Sequence, residues 1–167
     1  MPETPDQAQL RPLLAEIDRA FRGVRLEDGL SLHQAQAIDL YRSESEIKAA
    51  RHLDKEERWQ DIPDGKIERF ASSLSFLDAL GFRFHIPRFM VFSLTHGESV
   101  APAVNYTIYN CDFEDKTKDR ALARYSLLSS PQRKTIAKYL RFTAAHEECY
   151  DARVANRALQ RYWSQYE

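Results

Sequence analysis

Residues 75–92 read SFLDALGFRFHIPRFMVF, the densest aromatic and apolar run of the chain. Five of the nine phenylalanines fall within this stretch, so it predicts the centre of the hydrophobic core. Residues 82–86 alternate apolar with polar side chains, the period of a half-buried strand, and predict one short extended segment. In this interpretation Gly81 ends a short helical turn and Pro87 begins the next helix.

The flanking sequence is dominated by helical spacing. Apolar residues recur at i, i+3, i+4 and i+7 through most of the chain, and all five glycines fall at predicted turns or helix ends. Residues 103–111 fit a strand or a helix, and their helical surroundings favour the helix. The sequence therefore predicts a mainly α, single helical domain over 1–167, with six to eight helices and a flexible 1–9 segment.

The N-terminal third of the chain predicts amphipathic helices. The regular part of the first helix is expected to begin at Pro12, because proline disrupts a helix interior. A capping box of Ser31 and Gln34 opens the second helix, which is expected to break near 43–45. The apolar face of this helix and its continuation consists of Leu32, Ala35, Ile38, Tyr41, Ile47, Ala50 and Leu53.

Composition excludes several classes of protein. Hydrophobic residues make up 43% of the 167 residues and charged residues 29%, which is typical of a folded domain and not of a disordered chain. No apolar run approaches the roughly 18 residues of a membrane helix. The polar start of the chain does not resemble a signal peptide, and Cys111 and Cys149 follow no redox or metal spacing. We expect a cytoplasmic, bacterial-type protein with free thiols and no membrane association.

The charge is unevenly distributed. Residues 116–142 hold eight cations and one acid, whereas residues 1–115 carry a net charge of −7. A basic segment of this kind can bind nucleic acid or an acidic partner. The alternative is that its cations pair with the acidic half of the same fold, and the absence of a basic pI favours that alternative, so nucleic-acid binding is not expected.

Common catalytic templates are absent from the sequence. There is no glycine-rich phosphate loop, no G-x-S-x-G, no H-E-x-x-H and no C-x-x-C, so no cofactor is predicted. His146 and Cys149 are one helical turn apart, but the acids around them suit the first turn of a helix, and no metal site is predicted. The segment around His52 and Asp54 is interpreted as a solvated charged connector.

The strongest candidates for a site lie in or near residues 75–92. Asp78, Arg83 and His85 are the catalytic candidates, since a histidine beside a carboxylate can serve as a general base. The weaker binding candidates are Trp59, Asp61 and Arg88. The competing and favoured interpretation is that these polar residues cap helices and pair internally.

Three segments carry a resemblance to a known family: WQDIP (59–63), SFLDALGFRFHIPRFM (75–90) and SLLSSPQRKTIAKYLRF (126–142). They resemble a bacterial domain family of unknown function with W-x-D-I-P and F-L-D-x-x-G-F-R-F-x-x-P-x-F/Y-M motifs. The AFRGV end of the first helix (20–24) also fits. The resemblance implies a small cytoplasmic single-domain protein and no particular activity. His85 stands where tyrosine is the more expected residue, which argues against a catalytic histidine there.

The sequence leaves the function open, with three hypotheses. The first is a non-enzymatic protein-binding module of the immunity or regulatory accessory type, favoured by the missing catalytic templates and the charge asymmetry. The second is a small hydrolase or nucleic-acid-modifying enzyme assembled around Asp78, Arg83 and His85. The third is nucleic-acid binding through 116–142. The oligomeric state is not determined by the sequence.

Overall fold

The structure, a computed structural model describing residues 5–167, confirms a mainly α protein without strands in that range. It contains nine α-helices there, eight of them with seven or more residues. They are α1 Pro5–Ala20, α2 Leu32–Asp39, α3 Glu44–Ala50, α4 Asp64–Arg69, α5 Ala79–Thr95, α6 Pro102–Tyr109, α7 Lys118–Tyr125, α8 Ser130–Ala144 and α9 Ala152–Arg161. Short 3₁₀ segments lie at Arg51–Leu53, Trp59–Asp61, Ala71–Phe76, Asp115–Thr117 and Trp163–Tyr166. None of the helices in this range is both long and apolar enough to span a bilayer.

Helix α5 forms the centre of the molecule, and the predicted extended segment at 82–86 is wrong. These residues are helical, and Gly81 and Pro87 lie inside α5 instead of ending one helix and beginning another. The helix packs against α1, α4, α6 and α7, so apolar residues on nearly every side of it are buried. A helix buried on nearly every side has no broad polar face, and its sequence therefore lacks the helical period that would have identified it.

The N-terminal helix also begins earlier than predicted. Pro12 lies inside α1, which already starts at Pro5. Pro12 is exposed, as is Ala8, so water can reach the Ala8 carbonyl that the missing proline N–H leaves without its helical donor. The predicted flexible 1–9 segment falls partly on residues 1–4, outside the described residues, whereas residues 5–9 are helical.

The local signals predicted for α2 and α3 are confirmed. Ser31 and Gln34 form the predicted capping box, and the expected break falls between α2 and α3, where Ser43 caps α3. The ambiguous 103–111 segment is helical over α6 and the turn after it. These signals act within one turn of the chain, which is why the sequence alone predicts them.

The start of α5 is fixed by the loop that joins α1 to α2. Asp78 caps α5, and its Oδ1 accepts hydrogen bonds from the N–H groups of Gly81 (2.8 Å) and Leu30 (3.0 Å). A Cβ on Gly81 would lie 2.5 Å from the Leu30 carbonyl oxygen, so only glycine allows this approach. The Asp78 carboxylate thus binds the loop to the central helix, and the absence of a side chain on Gly81 lets the two backbones lie in contact.

A single cluster of buried side chains extends from Leu13 in α1 to Trp163 near the C-terminus. Every α-helix except α3 contributes to it or packs against it within the part of the chain described. The aromatic residues at the C-terminal end belong to this core, as their helical spacing predicts, with Tyr139 and Trp163 fully buried. Helix α3 therefore lies outside the body of the protein.

Candidate functional site: the α2–α3 face

The three catalytic candidates are placed in separate contacts. Asp78 caps α5, and Arg83 forms an ion pair with Glu27 over 3.2 Å. His85 is buried, and its Nδ1 lies 2.7 Å from the carbonyl oxygen of Gly81. Burial lowers the pKa of His85 to about 4, so the ring is neutral and donates this hydrogen bond. Within residues 5–167 no hydrogen bond or ion pair joins these three side chains to one another, and their use in catalysis stays a prediction.

Two of the three binding candidates share a cleft. Trp59 and Arg88 line a cleft of about 400 Å³ together with Leu14 and Thr95. The side chains of Trp59 and Arg88 also connect elements of the fold. The Trp59 indole N–H donates a hydrogen bond to the Phe21 carbonyl (3.0 Å). Arg88 donates to the Ile62 carbonyl (2.8 Å) and pairs with Asp64, whereas Asp61 lines a different hollow beside Arg58.

Within residues 5–167, four of the eight cations of residues 116–142 are engaged with other elements of the fold. Arg124 donates to the Leu74 carbonyl (2.9 Å) and Arg133 to the Tyr125 carbonyl (2.7 Å). The other two are Lys138, paired with Glu16 over 2.8 Å, and Arg141, paired with Glu167 over 2.7 Å. Of these four contacts, the Lys138–Glu16 pair is the kind that the sequence predicted, whereas the two arginines bind carbonyl groups and Arg141 pairs with the C-terminal residue.

The possible metal pair of His146 and Cys149 has no open ligand position on its histidine. Nδ1 of His146 contacts the Phe142 carbonyl oxygen at 2.7 Å, and Nε2 contacts Asp6 at 3.2 Å. Both cysteines are free thiols, and burial raises the pKa of Cys111 to about 12. Within residues 5–167 no three potential metal ligands lie together.

The interpretation of Asp54 as part of a solvated connector is wrong. Its side chain is only 7% exposed and forms a buried polar cluster with His33 and Lys66. The Asp54 carboxylate accepts from the His33 backbone N–H (2.9 Å), contacts His33 Nδ1 (2.8 Å) and pairs with Lys66 Nζ (2.6 Å). Lys66 also pairs with Glu56, over 2.8 Å, so one ammonium is shared by two carboxylates.

Asp54 remains ionised because its partners outweigh its burial. Burial would raise the pKa of its carboxyl group, but hydrogen bonds from Lys66, Ser31 and His33 lower the pKa to about 2. Because an ionised carboxylate can only accept, the His33 Nδ1 that it contacts carries a proton, and this hydrogen bond fixes the orientation of the ring. Sequence reasoning missed this cluster because its members come from three separate segments of the chain.

The His33 ring lines a groove of about 450 Å³ between α2 and α3. The apolar part of its wall consists of Ala37, Leu40, Ala49, Ala50 and Leu53, and Gln36, Arg42 and Glu46 complete the lining. Leu40 is 54% exposed and Leu53 60% exposed, although the helical spacing had assigned Leu53 to an inner face. No residue of α3 is buried. The α2 part of the predicted stripe is therefore covered, with Leu32 and Ala35 in the core, whereas Ile47 and Ala50 are only half-buried and Leu53 is not covered by any other part of residues 5–167.

Tyr41 stands at the turn between these two helices and is 96% exposed. Its prediction as part of the apolar inner face is therefore wrong. The Tyr41 N–H bonds to Ile38 and the Arg42 N–H to Ala37, the hydrogen bonds of a Schellman motif. Tyr41 occupies the left-handed position of that motif (φ 54°), which glycine usually fills. We call Leu40, Tyr41, α3 and Leu53 the α2–α3 face.

Comparison with known families identifies the family of this chain. The profile of DUF6714, a family of unknown function, matches residues 9–167. The chain belongs to the DUF6714 family. Searches of curated proteins and of solved structures found no match.

The segments by which the chain resembles its family have structural roles. In this DUF6714 chain, Trp59 is bonded to the end of α1, and Asp78 and Gly81 hold the loop before α2. These segments, 59–63, 75–90 and 126–142, supply the central helix and the elements packed on it. The α2–α3 face lies outside all of them, so the scaffold and the candidate site occupy different parts of the sequence.

Proposed function

We propose that the protein is a small cytoplasmic, non-enzymatic protein-binding module of the regulatory or immunity accessory type, and that it binds through the α2–α3 face. The observation that carries this proposal is the group of exposed apolar side chains Leu40, Tyr41 and Leu53 on either side of α3, a helix with no buried residue. The two free cysteines suit a reducing compartment such as the cytoplasm.

Clustering of exposed apolar side chains supports this choice of surface. Seven large hydrophobic residues are exposed in the described part of the chain, and Leu40, Tyr41 and Leu53 all belong to the α2–α3 face. Scattered surface hydrophobics are ordinary, whereas adjacent ones rimmed by polar residues are typical of interaction sites. Tyrosine and leucine anchors beside a groove are the features by which one protein chain holds the helix of another.

His33 gives the groove a polar contact as well as an apolar one. The ring is held in place by Asp54 and stays partly accessible beside Leu53. A fixed imidazole in the wall of an apolar groove selects a partner that places a polar group beside it. The cluster thus contributes specificity to a surface whose affinity comes from its leucines and Tyr41.

Photocrosslinking in the native cell tests the proposal. A photoreactive amino acid at position 53 should form an adduct with a protein that mass spectrometry identifies, whereas the same amino acid at exposed Val100 should not. The purified partner should then bind the purified chain, and Leu40→Glu should weaken that binding at least about tenfold. If position 53 yields no adduct beyond the level of position 100, the proposed function is wrong.

A further inference from the structure

We infer that the protein docked on the α2–α3 face is a second copy of this chain, related to the first by a two-fold axis. This inference rests on the proposed function, because it names the partner of the same surface. A two-fold interface must be complementary to itself, since the same patch is present on both sides. The charges, shape and backbone of the face each bear on that requirement.

The charges of residues 39–53, the segment that contains the α2–α3 face, meet the requirement. Residues 39–53 carry three acids and three cations, although residues 1–115 as a whole carry a net charge of −7. The side chains of Asp39, Glu44 and Lys48 make no hydrogen bond or ion pair within residues 5–167. A second copy approaching by this face therefore meets no net repulsion, whereas the rest of the acidic half would repel it.

One pair of charges is placed to form bonds across the axis. Arg42 and Glu46 line the same groove, one at the turn and one in the first turn of α3. When two identical grooves face each other, a two-fold axis can set Arg42 of each copy opposite Glu46 of the other, so that one contact occurs twice. A partner surface that carries charges of only one sign would attract one of these two residues and repel the other.

The shape of the face suits another helical pair. The groove floor contains Ala37, Ala49 and Ala50, small residues that let a second pair of helices approach closely. Leu40 and Leu53 stand at the groove and can fill the groove of the other copy. The two α2–α3 pairs would then form a four-helix arrangement that covers the stripe of α3 on both sides.

Tyr41 separates the stability of the fold from association. A non-glycine residue in the left-handed region is strained, so Tyr41→Gly should leave the isolated chain as stable as before or more stable. The same substitution removes a fully exposed aromatic side chain from the face. Substitution of a residue with only a folding role would lower the stability of the chain and weaken its association together. For Tyr41→Gly we expect weaker association without a loss of stability.

Sedimentation velocity on the full chain, from about 1 μM to about 1 mM, tests the inference. We expect a concentration-dependent species of twice 19.4 kDa. Leu53→Glu and Tyr41→Gly should each raise its dissociation constant at least about tenfold. Leu127→Glu, the same change at an exposed leucine after α7, is the matched control and should leave it unchanged.

A charge exchange tests the two-fold geometry directly. The Arg42→Glu chain alone and the Glu46→Arg chain alone each place like charges opposite one another, and both should be monomeric. An equal mixture restores both cross-axis pairs and should form the dimer. Because Glu46 also accepts from the Ser43 N–H, circular dichroism of each chain must show that α3 is retained.

The outcomes separate this inference from the proposed function. The inference that the partner is a second copy is wrong if the wild-type chain is monomeric over the whole concentration range. It is also wrong if the chain forms a dimer that Leu53→Glu and Tyr41→Gly leave intact. If a different protein is then crosslinked at position 53, the binding function stands and only the identity of its partner changes. If position 53 forms no adduct either, both proposals fall.

Discussion

At the scale of single residues, Asp54 shows how a charge is kept inside the protein. Its carboxylate is bonded to an imidazole, a backbone N–H and an ammonium, so nearly all of its acceptor capacity is used. This arrangement fixes the His33 ring at the groove and connects α2 to α4. The cost of burying the charge is offset by partners that are themselves partly buried.

Asp54→Asn should lower the free energy of unfolding by about 2–4 kcal/mol, because it leaves the Lys66 ammonium with Glu56 as its remaining partner. Urea unfolding measures the change as a lower midpoint at an unchanged m-value. Asp61→Asn is the matched control, since that carboxylate is half-exposed and 4.0 Å from Arg58. A similar loss in both variants would contradict a special role for Asp54.

His85 predicts a pH dependence of stability. Its pKa is lowered from 6.5 to about 4, chiefly by burial, so below pH 6.5 the unfolded chain takes up a proton that the native chain refuses. The unfolded state is therefore favoured as the pH falls from 6.5 towards 4, by up to about 1.4 kcal/mol per pH unit.

His85→Met removes this proton linkage and keeps an adaptable buried side chain in place. The stability of the variant relative to wild type should therefore rise as the pH falls from 6.5 to 4, as measured by urea unfolding at a series of pH values. His52→Met, a change at an exposed histidine, should give a profile parallel to wild type. Parallel profiles for His85→Met would show that His85 is not held neutral.

At the scale of elements, the joint between α5 and the loop before α2 leaves no room for an added side chain. Gly81→Ala should destabilise the protein by about 1–3 kcal/mol, because the new Cβ would lie 2.5 Å from the Leu30 carbonyl oxygen. Gly65→Ala in α4 meets no atom within 4 Å and should stabilise it by about 0.5 kcal/mol. Thermal unfolding of both variants measures the difference, and equal effects would contradict the close approach.

Elements with one buried face were predictable, whereas the surroundings of elements buried on nearly every side, or on none, were not. The capping box at Ser31 and the break before α3 depend on adjacent residues and followed from the sequence. Helix α5 is surrounded, so its alternating residues imitated a strand at 82–86. Helix α3, by contrast, has regularly spaced apolar residues but no buried residue. This spacing predicts that another surface packs on the helix, and it does not distinguish a surface of the same chain from that of a partner.

At the scale of the whole molecule, the tertiary fold determines which groups each charged side chain contacts, and no local sequence pattern reveals these partners. The basic segment 116–142 uses Arg124 and Arg133 to bind carbonyl groups of neighbouring elements. The Asp54 cluster assembles residues from positions 33 to 66, and the sequence contains no spacing that joins them. Net charge and family resemblance could be read from the sequence, whereas the candidate site required the fold.

The position of α3 outside the core has a consequence for evolution. Substitutions on a helix with no buried residue are expected to change the free energy of unfolding by only about 0.5 kcal/mol or less. The residues that choose a partner are thus free of the constraint that the core places on α5. The fold can be inherited intact while the surface on α3 diverges, so relatives with the same scaffold can acquire different binding specificities.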